Sequence, residues 1–184
     1  MNDLLPPALR MGVISLVVLM ALLAAAAWTD IRSNRIPNAL VVAGLVLGIA
    51  FGLAPGGIGA KDMALGLATG LVLFLPCYAL GVMGAGDVKL MAMAGTFLGV
   101  KATLLAVVTT FAAGGVLAIG YGLKSRVLRQ ALRNVWTFAG SAAVQLASGT
   151  APRVADMPVT RVRLPYAAAV AAGVLISLLA VDRY

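Results

Sequence analysis

The sequence predicts an all-α fold, a polytopic bundle of six membrane-spanning helices with an amphipathic helix lying on the membrane surface. Three observations predict it. Of 184 residues, 62% are hydrophobic and 11% charged, and the mean hydropathy of +1.04 lies well outside the range of soluble domains. Long uncharged stretches recur along the chain, most of them near the roughly 18 apolar residues needed to cross a ~30 Å hydrocarbon core. The basic residues cluster in alternate connections between these stretches, as they do where such connections face one side of a membrane.

The first span is expected over residues 11–29. Arg10 before it and the small-residue run Ala24–Ala27 within it also fit a cleaved signal peptide. Cleavage would leave Asp30, Arg32 and Arg35 on the outer face, against the charge pattern of the remaining chain, so the segment reads as a retained helix. The second and third spans are expected over 39–54 and 63–82. Residues 88–100 are short for a span, but Lys89 and Lys101 at the ends can extend their stems and carry their charges to the two interfaces. Residues 102–123 and 164–181 complete the set, so the chain reads as a single membrane domain, residues 1–184, with one sizeable loop at 124–163. In that loop Arg126, Arg129, Gln130 and Arg133 share one helical face and Val127, Leu128, Ala131, Leu132 and Val135 the other, as in a helix lying on the inner leaflet. Anionic lipid is its expected ligand, with substrate binding as the alternative.

The net charge of +8 would raise the question of nucleic acid in a soluble protein. Here position answers it. With the N-terminus outside and six spans, the inner side receives Arg32, Arg35, Lys89, Lys124, Arg126, Arg129, Arg133, Arg153, Arg161 and Arg163. The outer side receives only Arg10, Lys61, Lys101 and Arg183. The charge therefore reports topology, with both termini outside, and the expected partner is the bilayer, with no nucleic acid.

The chain has no His, no Glu and one Cys, which removes Ser-His-Asp triads, Cys-His pairs, HExxH and CxxC metal sites, and any internal disulfide. Neither a metal nor a cofactor is expected. Cys77, inside the third stretch, reads as a small buried hydrophobe. Six Asp remain. Asp3 and Asp182 are terminal, Asp62 sits with Lys61 in an outer turn, and Asp156 lies in the Pro-flanked loop. Asp30 ends the first span and Asp87 opens the fourth, both at the inner face. A carboxylate at the edge of hydrocarbon is retained mainly where it faces a bundle interior or an aqueous pocket. Interfacial anchoring would account for either one alone, but a pair at one depth is harder to dismiss.

Each Asp heads or closes a distinctive segment. The first reads Asp30-Ile31-Arg32-Ser33-Asn34-Arg35-Ile36-Pro37-Asn38, a short inner loop turning from one span into the next. Pro37 suits the first turn of the second helix and Asn38 can cap nearby backbone groups. Arg32 and Arg35 read as topology signals. The second segment is Gly84-Ala85-Gly86-Asp87-Val88-Lys89, where two glycines permit a sharp turn and close approach of another chain. Lys89 reads first as an interfacial anchor, with contact to a substrate carboxyl or backbone oxygen as the alternative.

These residues resemble the GxGD class of intramembrane aspartyl proteases and, within it, the type IV prepilin peptidases. D-x-x-x-x-x-I-P-N at Asp30–Asn38 and G-x-G-D-x-K at Gly84–Lys89 look like the family's two signature segments, in the expected order and on the expected side. Leu164-Pro165-Tyr166-Ala167 is similar to the segment that opens its final helix. The long bifunctional members carry a cytoplasmic domain with paired CxxC motifs, to which nothing here corresponds. The chain therefore looks like the short, peptidase-only CpaA/TadV form associated with tight-adherence (Flp) pili, without methyltransferase activity. Archaeal preflagellin peptidases share the motif pair and are the nearest alternative.

The resemblance implies catalysis by Asp30 and Asp87, with Pro37, Asn38, Gly84, Gly86 and Lys89 supporting, on prepilin and pseudopilin substrates at the cytoplasmic face of a bacterial inner membrane. Physical chemistry is consistent with that role, since two carboxylates within hydrogen-bonding reach cannot both ionise cheaply and should share one proton. The helix start at Asp87 favours negative charge there. A small transporter or proton relay is a competing class, but the apolar stretches lack an ionisable residue near mid-membrane. A non-enzymatic pilus scaffold is another, and both leave the two motifs as coincidence.

Overall fold

The computed structural model describes residues 12–79, 83–125 and 166–181. The described residues are helical, without strands, and run as α1 (Val13–Ser33), α2 (Asn38–Leu53), α3 (Ala60–Ala79), α4 (Ala85–Ser125) and α5 (Tyr166–Val181). Three helical stretches, Val13–Ser33, Ala60–Ala79 and Ala85–Gly120, are long and apolar enough to cross a membrane, whereas Asn38–Leu53 and Tyr166–Ala180 are apolar but shorter. The amphipathic face around Arg126 to Arg133 lies outside the described residues, as do Asp3, Asp156 and Asp182. The described residues up to Gly114 and from Tyr166 onward form one compact unit. A second unit begins at Gly115, and its described part is the helical continuation of α4 to Ser125.

The expected fourth and fifth spans emerge as one element, α4, interrupted at Gly99 with φ 71° and ψ −179°. That backbone conformation is essentially restricted to glycine, because a Cβ there collides with the adjoining peptides. The chain therefore turns two residues before the Lys101 boundary that charge alone suggested. Beyond the break, the Thr103 hydroxyl donates to the Gly99 carbonyl at 2.6 Å, which ties the break to the first turn of the helix that follows. Gly99→Ala should cost about 1–3 kcal/mol of stability, read as a lowered midpoint of thermal unfolding in detergent. An unchanged midpoint would show that the break does not depend on glycine.

Before that break, α4 is the centre of the bundle. Leu90, Met91, Ala92, Met93, Ala94, Thr96, Phe97 and Leu98 are all buried. A helix apolar on every side belongs inside other helices, which explains how a segment too short to span comfortably is retained. Its neighbours reach it through glycine. Buried Gly44 and Gly48 of α2 face Met93 and the pair Thr96 and Phe97. On α3, Gly66 lies directly on the Gly95 carbonyl and Gly70 on the Met91 peptide, so these backbones meet without intervening side chains. Close approach of this kind supplies the dispersion contact that holds helices together in lipid, where burial of apolar surface gives little drive.

The outer faces are apolar as well. Val13, Ile14 and Val17 of α1, Val42, Val46 and Leu53 of α2, and Val72 and Leu75 of α3 are exposed. Such a surface suits acyl chains rather than water. On its opposite face α1 buries Ser15, Leu19, Leu23, Ala26 and Asp30, a three- and four-residue spacing that makes one stripe. This stripe packs chiefly against α5. After Gly99, α4 also meets α5, where the Thr109 hydroxyl donates to the Gly173 carbonyl at 2.7 Å.

Candidate active site

The stripe that buries Leu19, Leu23 and Ala26 continues directly to Asp30, so helical periodicity aims this carboxylate into the bundle. It is 7% exposed, and Asp87 is also 7% exposed. The two motif segments touch, through Lys89 and Asn38 and through Gly86 and Ile36, so Asp30 and Asp87 stand at the same end of the bundle.

Each Asp is held by a backbone donor at the start of a helix. Gly84 donates its N–H to Asp87 Oδ2 at 3.0 Å, and the Asp87 N–H donates back to the Gly84 carbonyl at 3.1 Å. The side chain three residues into α4 thus reaches back to the residue before the helix, which is one half of a capping box. Asp30 is held from a distant element. The Ala167 N–H, in the first turn of α5, donates to Asp30 Oδ2 at 3.1 Å. Both carboxylates therefore stand at helix N-termini. The two settings differ in one respect, since Asp87 belongs to the first turn of its own helix whereas Asp30 belongs to the last turn of α1 and meets a helix start only through α5.

The supporting residues also converge, in roles that differ from their sequence reading. Pro37 stands one position before α2 rather than in its first turn, and its carbonyl accepts from the N–H groups of Leu40 at 3.1 Å and Val41 at 3.4 Å. No side chain caps α2. Asn38, expected to cap, instead accepts a hydrogen bond through Oδ1 from Lys89 Nζ at 3.2 Å. Gly86 faces Ile36, and a Cβ built there would stand 3.3 Å from Ile36 Cδ1. Gly84 faces its own Asp, with a Cβ at 3.3 Å from Asp87 Oδ2. Thus Ile36 and Asn38 of the first segment both touch the second.

Some participants escaped the sequence reading. Asn34 ends α1 in the left-handed conformation, with φ 49° and ψ 35°, and donates its N–H to the Asp30 carbonyl at 2.7 Å. An Asn just after the last periodic residue is a helix-stop signal that could have been read. The Ala167 N–H carried no such signal, because a backbone donor is not legible as a ligand in sequence. Tyr166, which opens α5 beside Ala167, packs its hydroxyl on Gly114. On the exposed side, the Arg32 guanidinium lies 4.8 Å from the centroid of the Trp28 ring.

Asp62 is exposed in the first turn of α3, beside Gly99. Cys77 is half-buried. A cavity of about 540 Å³ lined by Ser15, Phe51, Gly52 and Phe97 opens where α1 begins and α2 ends. It lies at the opposite end of those helices from Asp30 and Asn38 and contains neither Asp.

Fold and site together define an integral membrane protein of the all-α class with a buried carboxylate pair at one end of its helices. The chain belongs to the type IV leader peptidase family, which residues 17–119 match, more than half of its length. Its class is thereby that of a peptidase. The matched region contains both carboxylates and both motif segments and ends before α5. No curated protein and no solved structure matches the chain.

Proposed function

We propose that this protein is an intramembrane aspartyl endopeptidase of the GxGD type that removes the basic leader from prepilins and pseudopilins of the tight-adherence class. The observation that carries the reading is the placement of Asp30 and Asp87, two buried carboxylates on motif segments that touch through Lys89–Asn38 and Gly86–Ile36, in a family of leader peptidases. Asp30 and Asp87 share one proton. The ionised member takes a proton from a water, whose oxygen attacks the scissile carbonyl carbon, while the protonated member donates to the carbonyl oxygen. On collapse the C–N bond breaks, the amide nitrogen receives a proton from one carboxyl, and the tetrahedral oxygen returns its proton to the other. With Oδ2 of each Asp engaged by a backbone N–H, we assign Oδ1 of each to this exchange.

The setting is a six-span bundle in a bacterial inner membrane, with both termini periplasmic and the dyad at the cytoplasmic interface. The break at Gly99 supports counting α4 as two spans. The Trp28 and Arg32 pair supports an interfacial depth for Asp30, because both residue types favour the headgroup region. A site at this depth admits water without a path through lipid. It also meets the junction between basic leader and apolar helix in a single-span substrate whose N-terminus lies inside. Methyltransferase activity is not part of the proposal.

The test is cleavage of a co-expressed prepilin by the wild type and by Asp30→Asn and Asp87→Asn, with membrane insertion of each variant verified. Processing retained by either variant would make the motif pair structural. A second readout is the pH profile of kcat/KM, expected to be bell-shaped. Activity falls at low pH when both carboxyls are protonated, and at high pH when the shared proton is lost. A profile flat from pH 4 to 9, roughly the span over which a coupled carboxyl pair should titrate, would argue against a shared proton.

A further inference from the structure

We propose that Lys89 and Asn38 form a latch that positions the two carboxylates, a role distinct from anchoring Lys89 at the membrane surface. The inference rests on the reading of Asp30 and Asp87 as the reacting pair and adds what sets their spacing. Lys89 lies two residues beyond Asp87 on α4, and its ammonium donates to Asn38 Oδ1 at 3.2 Å, joining positions 51 residues apart. An anchoring lysine turns its ammonium to headgroups and water. Here it is directed instead to the first residue of α2, whose amide accepts it rather than capping its own helix. The donor is charged, which strengthens the bond relative to one between neutral groups, and both side chains lie on the exposed side of their helices.

A second contact joins the same two elements independently. Gly86, beside Asp87, packs on Ile36 closely enough that a Cβ there would stand 3.3 Å from Ile36 Cδ1. The remaining links connect this bond to each carboxylate. From Asn38 the chain runs back through Pro37 to Asn34, whose left-handed turn and N–H bond to the Asp30 carbonyl fix the end of α1. From Lys89 it runs back two residues along α4 to Asp87, whose side chain is tied to Gly84. The Lys89–Asn38 bond thus links the segment that carries Asp30 to the segment that carries Asp87. Removing it leaves the Ile36–Gly86 packing to hold the two segments and lets the start of α4 shift against the end of α1, and a shift of about 1 Å at a reacting pair is enough to lower turnover up to about a hundredfold.

The experiment uses the full chain reconstituted in vesicles of phosphatidylethanolamine and phosphatidylglycerol, with a prepilin precursor as probe. Lys89→Met and Asn38→Ala should each lower kcat about tenfold with KM little changed. The double variant should be no worse than the worse single, because the second change removes a bond already broken. Lys89→Arg, which still donates, should retain most of the turnover. Wild-type kcat in either single variant would overturn the latch, as would losses that multiply in the double variant, or a raised KM at unchanged kcat. Lys89→Leu, which also lacks a donor, replaces Lys89→Met should the latter fail to insert. The latch and the dyad fail separately, since activity surviving in Asp30→Asn or Asp87→Asn refutes the dyad whatever Lys89 does.

Discussion

Asp30→Asn and Asp87→Asn should each lower prepilin cleavage by about 10³-fold while the protein still inserts and folds. The amide is the informative replacement because each Asp has two jobs in the structure. Its Oδ2 accepts a hydrogen bond at a helix start, from Ala167 for Asp30 and from Gly84 for Asp87. Asn keeps the size and an acceptor oxygen, so α4 and α5 retain their tethers, but it cannot relay a proton. An alanine would remove both functions and confound chemistry with the loss of a cap, which costs about 1 kcal/mol. The two residues act as one unit, so the double Asn variant should be scarcely worse than either single. Turnover by purified, reconstituted variants measures this, with unfolding midpoints as the control. Activity within about tenfold of wild type in either variant would contradict general acid–base chemistry at that residue.

Gly95→Val should have the largest structural effect. Gly95 of α4 and Gly66 of α3 lie backbone on backbone, each occupying the space in which the other's Cβ would stand. A Cβ on Gly95 falls on the Gly66 carbonyl, which has no side-chain freedom with which to yield. Separating α3 from α4 would also disturb Gly70 on Met91, one turn further along. Forcing extra volume into such a contact costs about 3 kcal/mol, and this contact lies at the most buried part of the bundle. The expected result is poor accumulation in the membrane and a lowered unfolding midpoint. Activity should be lost in proportion to folded protein, the opposite pattern to that of the Asp variants. A Gly95→Val protein with wild-type stability would mean that α3 and α4 do not depend on this approach.

Much of the fold was legible because lipid imposes a one-dimensional rule. A helix that satisfies its own backbone hydrogen bonds and carries an apolar surface is written as a run of apolar residues, and such runs located α1, α2, α3 and α5 to within a few residues. The break within α4 was legible only approximately. Charge placed it at Lys101, whereas the backbone turns at Gly99, because the turn needs a residue without Cβ and does not need a charge. Which of the many glycines pack helix against helix was not legible, since Gly66 and Gly115 look alike in sequence and only one meets another backbone.

For the site, sequence alone determined which groups were available. Without His, Glu or a second Cys, the composition left a short list of carboxylates, and Asp30 and Asp87 stood out by their place at the ends of apolar runs. The tertiary structure decided what holds them. That Asp30 faces inward follows from the stripe it shares with Leu19, Leu23 and Ala26, but that its partner is the Ala167 N–H depends on α5 returning beside α1. That Asn38 serves Lys89 rather than its own helix depends likewise on α2 and α4 starting side by side. Composition and periodicity are properties of a chain segment and survive being read along it. A hydrogen bond between residues 51 or 137 apart is a property of the packing, fixed by contacts that no local pattern encodes.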